Sequence, residues 1–438
     1  MTGRTVVIGG GIGGAAAALR LARAGQEVVL LERSDRLGGL VASFEVGGTP
    51  LECFYHHVFP HEHHVLGLVD ELGLSDRLEW FPSSVAVLAG GRVWPFTSPL
   101  DLLRFGPLPF RDRLRTGLGA LRMGRVRGWE ALDGVAARDW LAHHTGRRAV
   151  DVVWGPLLRA KFGAAAARVP AAWMWGRFQQ RAGARRRGGE VLGYMRGGFR
   201  QLFDALDAEL RRLGADVRTG AAAARIITDS GVVAGVELAG GDAVEGGSVI
   251  FTGSLPALGP LVPDVLRDRR WDGIGGLGVV CVVLELSRPL GEAYWTNVCD
   301  DRVPFGGVIA HTNLVPVEDY GRHVAYLSRY FLEDDAVATA EPGVTASSWV
   351  AALAEAWPGF DPDHVLAAHP FRTAYAAPLV TVGYRDRIPP LASHVPGLYV
   401  ATTAQIYPAD RGMSEGVRLG TEVAEAVLAD AGRVAGVR

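Results

Sequence analysis

Lysine is almost missing from this chain. Among 45 basic side chains there is one, Lys161, and the other 44 are arginine. Cysteine is scarce as well. Cys53, Cys281 and Cys299 are an odd number without metal-ligand spacing, which excludes a disulfide framework and fits a reducing, cytoplasmic compartment. No metal site is expected. No apolar stretch approaches the ~20 residues of a spanning helix; runs such as Gly275 to Leu284 fall well short. The first apolar run, Thr5-Val6-Val7-Ile8, has no charged and apolar leader before it, so no secretory signal is expected. A net charge of only −2 argues against a dedicated nucleic-acid binder. What the chain does have is length, 438 residues, and an apolar fraction of 48%, enough for two or three domains with a sizeable core.

Val6-Val7-Ile8 reads as a buried strand. Gly9-Gly10-Gly11-Ile12-Gly13-Gly14 follows, then helical composition from Ala15 to Ala24 and a second strand, Gln26 to Glu32. Gly9, Gly11 and Gly14 fill a G-x-G-x-x-G frame inside a βαβ unit. The first glycine permits the turn, the second lets backbone approach a pyrophosphate, and the third lets helix and strand pack closely. The N-terminus of the helix that follows offers free N–H groups and a positive dipole end, which suit phosphates. Glu32 ends the second strand. An acid there accepts from a ribose 2′-OH and repels a 2′-phosphate, so FAD or NAD is favoured over NADP. A second match to the frame, Gly273 to Gly278, precedes a strand rather than a helix and is set aside.

After Glu32 the chain reads Arg33-Ser34-Asp35-Arg36-Leu37-Gly38-Gly39. A glycine pair just beyond the ribose acid resembles the signature of the FAD-dependent amine oxidase, protoporphyrinogen oxidase and phytoene desaturase superfamily, with Leu40 where arginine is common. Ala215 to Arg218, Ala223 to Ile227, Val232 to Leu238 and Val249 to Thr252 look like its β-meander. The resemblance places Ala223 against the adenine and Thr252 near the phosphates. Gly397 to Ala401, then Asp410-Arg411-Gly412-Met413 and a helix from Ser414 to Leu428, resemble its C-terminal flavin clamp, with Thr402-Thr403 in place of the usual Gly-Asp. The strings at Phe54, Gln405 and Val417 are similar to protoporphyrinogen-oxidase-like flavoproteins. Expected cofactor contacts are therefore Gly9, Gly11, Ile12, Gly13, Gly14, Glu32, Arg33, Arg36, Gly38, Gly39, Ala223, Thr252, Asp410, Gly412 and Met413. The cofactor implied is FAD, reoxidised by oxygen or a separate acceptor.

The fold class that follows is α/β: a Rossmann-type FAD-binding domain with an inserted α+β substrate-binding domain. The expected division is 1–78, 198–272 and 386–438 for the FAD-binding parts, and 79–197 (largely helical) and 273–385 (sheet) for the substrate parts. Strands are expected over Leu78 to Leu88 and Arg92 to Phe96. Helices are expected over Phe110 to Met123, Val135 to His144 and Ala149 to Lys161. Arg185-Arg186-Arg187 reads as a surface loop. Residues 104–127 are strongly basic with Leu114, Leu118 and Leu121 as an apolar stripe. A solvated helix face is the expected reading there; contact with a membrane surface or a phosphate-bearing substrate is the alternative.

Tyr55-His56-His57 falls where the resemblance places a span beside the flavin ring. Flavin dehydrogenation delivers a hydride to N5 and, for alcohols or amines, needs a base for the other proton, a role neutral histidine suits. Lys161 is the third candidate, since a compact ammonium can position water or polarise an oxygen. His61, Glu62, His63 and His64 read as a helix start rather than a metal cluster. Tyr384, Tyr407 and Arg411 are further candidates for the pocket wall. The function expected is dehydrogenation of a small or medium organic substrate; the alternative is a redox-neutral isomerase or mutase acting on a sugar or isoprenoid.

Overall fold

The computed structural model describes residues 3–436 apart from 184, 187, 188, 265–267, 269 and 270. At its centre is a five-stranded, all-parallel sheet in the order Asp216–Arg218, Glu27–Leu31, Arg4–Ile8, Ser248–Phe251, Leu398–Val400. The four strands other than the edge strand Asp216–Arg218 are buried on both faces, which is why they read as apolar runs without alternation; in Asp216–Arg218 only Val217 is buried. Ala15 to Leu19 of the helix Ile12–Arg23 are all buried. The C-terminal helix Met413–Gly436 crosses it at glycines: a Cβ on Gly420 would stand 2.2 Å from the Gly13 carbonyl oxygen, and one on Gly416 2.6 Å from Ile12. The string Val417 to Gly420 is therefore part of a helix-to-helix contact.

Asp216–Arg218 and the strand at Val249 to Thr252 are expected in the meander but belong to the parallel sheet, the first paired with Glu27–Leu31 and the second, Ser248–Phe251, with Arg4–Ile8. The antiparallel meander is Ala223–Asp229, Val232–Leu238 and Ala243–Glu245. Three residues of strand carry too little pattern to show which sheet they join.

The second sheet has seven strands, in the order Val365–Pro378, Gly276–Leu286, His323–Phe331, Gly307–Ala310, Trp295–Val298, Val85–Ala89, Arg92–Pro95. It takes strands from both sides of residues 198–272, so parts of the stretches 79–197 and 273–385 share one sheet. Gly276–Leu286 begins inside the discarded glycine string, consistent with its reading as a strand approach. The expected strand Leu78 to Leu88 is two strands. Pro82, which cannot donate to a ladder, ends Leu78–Pro82 against Gly189–Met195, and Val85–Ala89 starts the larger sheet. Arg185–Arg186 is a short strand on Gly189–Met195 rather than a loop, and Arg187 lies outside the described residues. The helix expected over Ala149 to Lys161 is interrupted. Pro156 has no N–H for the carbonyl four residues back, and the chain passes through a π turn, Val150–Trp154, before Gly155–Phe162. The helix Ala171–Gly183, unforeseen in the sequence, packs across Ala137–Thr145.

Candidate active site

The cofactor end of the site is built from backbone. Strand Arg4–Ile8 runs into Gly9, whose φ of +109° favours glycine. A Cβ on Gly14 would stand 1.9 Å from the Gly9 carbonyl oxygen, so strand and helix close only around glycine. Thr252 braces the turn, its Oγ1 lying 3.0 Å and 3.1 Å from the carbonyls of Ile8 and Gly9. Gly11 caps the helix without a side chain, and the first turn carries no acid. The N–H groups of Ile12 and Gly13 are thus left for an anion. Gly38 N–H donates to the Gly10 carbonyl at 3.0 Å, and a Cβ on Gly39 would come within 3.1 Å of Gly11 Cα. The glycine pair therefore touches the glycine loop itself.

Buried Glu32 accepts from Gly10 N–H at 2.7 Å and Ser34 N–H at 2.8 Å and keeps lone pairs for a hydroxyl. Ala221 N–H donates to the Glu32 carbonyl, which brings Ala223 to the same edge. Arg33 and Arg36 stand exposed beside it. A bare glycine cradle, an uncapped helix start and an acid at the second strand's end fit the expected FAD.

The hairpin Ser43–Val46 and Thr49–Glu52 delivers Tyr55, His56 and His57 to the large sheet. Tyr55 lies edge-on to Trp295, ring centroids 5.0 Å apart, with Tyr326 beyond. His56 Nδ1 is 2.6 Å from the Phe54 carbonyl. A carbonyl only accepts, so Nδ1 carries the proton and Nε2 the lone pair. His57 Nδ1 lies 3.1 Å from the Tyr294 hydroxyl. Burial lowers His56 to about 4 and His57 to about 3, so both are neutral near pH 7.

Lys161, from the last turn of Gly155–Phe162, meets Asp410 across 249 residues of sequence. Its Nζ donates to Oδ1 at 2.8 Å and Oδ2 at 2.7 Å. Arg177 adds a contact to Oδ2 at 3.1 Å, and the N–H of Arg411 one to Oδ1 at 3.2 Å. The Lys161 and Asp410 side chains are each only 15% exposed. Burial raises the Asp410 carboxyl, but Lys161, Arg177 and Arg411 outweigh it and hold the group well below the usual range. Burial lowers the Lys161 ammonium against the opposing pull of Asp410. Trp173 and Tyr330 flank the ammonium with their rings at 4.7 Å and 5.2 Å. Arg411 reaches the Tyr330 hydroxyl at 2.7 Å.

Just past Arg411, Gly412 and Met413 start the C-terminal helix. Gly412 stands against Glu62, which accepts from Phe59 N–H at 2.8 Å and is raised by burial to about 7. His63 and His64 are exposed on the helix His63–Glu71. Among the described residues no group of three or more His, Cys, Asp or Glu is placed to hold a metal ion.

Sequence reasoning brought together Tyr55, His56, His57, Lys161 and Arg411 by candidate type, and the fold groups them. It missed Arg177 and Tyr330, which bond to Asp410 and Arg411, and Tyr294, which holds His57. Their signal was weak: Arg177 is one arginine among 44. Tyr384 and Tyr407 are ties rather than free wall groups. Tyr384 is fully buried and donates to the Ala404 carbonyl at 2.8 Å, and the Tyr407 hydroxyl donates to Asp133. Glu52 was missed as well. Fully buried, it accepts from the Tyr194 hydroxyl and from Phe199 N–H, both at 2.7 Å, and burial raises it to about 7.

Residues 12–428 match the model of the flavin containing amine oxidoreductase family. A curated relative, the 15-cis-phytoene desaturase of Arabidopsis thaliana, is 25% identical over 319 residues, 66% of this chain and 55% of the relative. The chain thus spans little more than half the length of that relative. Among solved structures, a protein from Exiguobacterium sp. 255-15, provisionally assigned as a protoporphyrinogen oxidase, aligns over 98% of this chain and 99% of its own. Its TM-score is 0.77 and its identity 19%. A reduced UDP-galactopyranose mutase aligns over 98% and 96%, with a TM-score of 0.75 and 17% identity. At such identities the structural likeness speaks for the fold.

Proposed function

The chain belongs to the flavin containing amine oxidoreductase family and takes FAD as its cofactor; from that premise we propose that it dehydrogenates a small or medium organic substrate. The observation that carries the reading is the bidentate Lys161–Asp410 contact, which fastens the helical substrate region to the C-terminal clamp beside the Tyr55–His57 wall. Gly9, Gly11, Ile12, Gly13 and Gly14, with Gly38 and Gly39, would hold the pyrophosphate and ribityl portion. Glu32 would take the ribose, Ala223 the adenine, and the helix start at Gly412 and Met413 the flavin's polar edge. When bound, FAD supplies a two-electron acceptor for a hydride at N5.

The protein's own groups handle orientation and the proton. His56 presents the Nε2 lone pair to a substrate O–H or N–H. Its low conjugate-acid pKa suits an acceptor that orients the proton and passes it on to water rather than keeping it. Lys161 spends two N–H donors on Asp410 and has a third for a substrate oxygen or water. Lys161, Arg177, Arg181 and Arg411 outnumber Asp410 and Glu190 around this wall, which favours a substrate with an anionic or oxygen-rich end. Turnover would then require oxygen or a separate electron carrier.

The test is anaerobic mixing of the yellow holoenzyme with a panel of amines, alcohols and oxygen-rich substrates. Bleaching of the absorbance at ~450 nm supports the reading, and turnover without any electron acceptor replaces it by the redox-neutral alternative. Lys161→Arg keeps the charge. Loss of turnover with FAD retained supports a role for the compact ammonium, and full activity removes Lys161 from the chemistry.

A further inference from the structure

Glu52 is a buried acid that the proposed chemistry leaves unused. It ends the hairpin strand Thr49–Glu52, just before the Tyr55–His57 wall, and is fully buried. Among the described residues its carboxyl bonds to no arginine or lysine; its partners are the Tyr194 hydroxyl and the Phe199 N–H. Burying a carboxyl that no cation meets is costly, and an amide would make the same bonds.

One strand, Gly189–Met195, grips both ends of the span that carries the wall. Tyr194 reaches Glu52 at the start of the span. Its neighbour Gly193 holds Val58 at the end: Val58 N–H donates to the Gly193 carbonyl at 2.9 Å, and Gly193 N–H to the Val58 carbonyl at 2.8 Å. A Cβ on Gly193 would stand 2.7 Å from Val58 Cγ2, so this approach needs glycine. The Tyr326 hydroxyl adds a third tie, donating to the Glu52 carbonyl at 2.7 Å, and its ring lies edge-on to Tyr55 with centroids 6.2 Å apart. Tyr55, His56 and His57 are thus suspended between two clamps, and one of the two is a titratable side chain.

Behind Glu52 the contacts continue. The Tyr194 hydroxyl lies 3.4 Å from that of Tyr320, and the Tyr320 hydroxyl 3.0 Å from His311 Nε2. Burial lowers His311 to about 3, so the ring is neutral and has one accepting nitrogen. With Glu52 protonated, a single ordering serves the whole chain: Glu52 donates to Tyr194, Tyr194 to Tyr320, and Tyr320 to His311. With Glu52 ionised, Tyr194 must turn its proton back to the carboxylate. The surrounding groups do not offset an anion there. Burial keeps the Cys53 thiol and the Tyr294, Tyr320 and Tyr326 phenols neutral. Arg196 is paired with Asp319, Arg200 with Glu45 and Arg181 with Glu190.

We propose that Glu52 is a positioning residue, which sets the Tyr55–His57 wall through its carbonyl and through a carboxyl that is protonated in the working state. Burial raises that carboxyl to about 7, so the wall is set below this pH and loosens as an uncompensated anion forms above it.

The test reads the wall directly, by NMR of ring-labelled histidine in the FAD-loaded protein, with His56→Asn and His57→Asn for assignment. His56 and His57 themselves titrate at about 4 and about 3, so a movement of their signals between pH 6 and pH 8 reports their surroundings. That movement is expected in the parent and should vanish in Glu52→Gln, which keeps the pH 6 positions throughout. Glu52→Leu and the milder Tyr194→Phe should shift both signals at either pH. Unmoved signals in Tyr194→Phe and Glu52→Leu, in folded protein, overturn the proposal, as does a lowered melting temperature with nothing else changed. The kinetic arm rests on the dehydrogenation reading. There kcat should fall about tenfold or more in Tyr194→Phe, with KM within about threefold, and the parent's alkaline decline should be absent in Glu52→Gln. If the signals move as expected while no substrate bleaches the flavin, the positioning role stands and the dehydrogenation reading falls.

Discussion

At the glycine end of the site, residues 9–14, 38–39 and 252 hold one another through carbonyls, N–H groups, the Thr252 hydroxyl and the absence of side chains on the glycines. Around Asp410 and its neighbour Arg411, by contrast, Lys161, Arg177 and Tyr330 come from three separated segments and meet them through side-chain charge and hydrogen bonds. The first region leaves no room for an added atom at Gly9, Gly10 or Gly14; the second depends on every charge it holds. Each should fail in its own way.

The largest effect is expected from Gly14→Ala. Its methyl would lie 1.9 Å from a backbone oxygen that cannot turn aside, so the strand and helix must separate. The cost is about 3 kcal/mol or more, and protein that still folds should carry little FAD. Absorbance at ~450 nm per unit protein, with a thermal melt, checks this; a stable, yellow variant would break the comparison.

Asp410→Asn should come next. It keeps the shape but leaves Lys161 and Arg177 facing a neutral amide in a half-dry pocket, at a cost of roughly 3 kcal/mol. FAD content should fall less than in Gly14→Ala. The carboxyl pKa is depressed in the fold, so its contribution is complete above the unfolded value of about 3.9 and fades as pH falls below it. The variant's deficit in melting temperature should therefore be constant from neutral pH down to about pH 4 and shrink only below that.

Glu52 sharpens the comparison from the opposite side. Its pKa is raised to about 7 because burial, not a cation, dominates its surroundings. A raised acid pKa contributes stability fully below the unfolded value, near 4.3, and loses it as pH rises towards the folded value, an effect of at most roughly 3 kcal/mol. Glu52→Gln should melt higher than the parent at pH 8, with the advantage shrinking through pH 5 and gone only near pH 4. An equal shift at both pH values would show that hydrogen bonding to Tyr194 and Phe199, not charge, sets its effect. The smallest change is expected from Arg36→Ala. The side chain is exposed beside the cradle, and FAD affinity measured by fluorescence should move by less than about threefold.

Much of the fold was legible. The alternation of apolar run, glycine turn, apolar helix and acid-ended run in residues 4–32 has one physical solution, because each local preference agrees with the next. The surface helix Phe110–Met123 was placed to the residue. That its stripe of Leu114, Leu118 and Leu121 stands exposed was not, since periodicity shows which residues share a face but not which face meets the core. The break at Pro82, the π turn before Pro156 and the sheet joined by Asp216–Arg218 depended on pairing with distant strands or on packing around a single residue. His56 and His57 were visible as candidates, while their neutrality required knowing what surrounds them.

Composition marked Lys161 as the one exception in an arginine-rich chain, and the sequence alone determined the glycine cradle, its acid and the class of cofactor. Those features are local: neighbours in the chain are neighbours in space, and glycine's freedom is a property of the residue itself. That the lone ammonium faces Asp410 rather than water was decided only by tertiary structure, which closed 249 residues of chain to bring the two charges within 2.7 Å. Charge pairing depends on distance and desolvation, and neither is written in the order of residues.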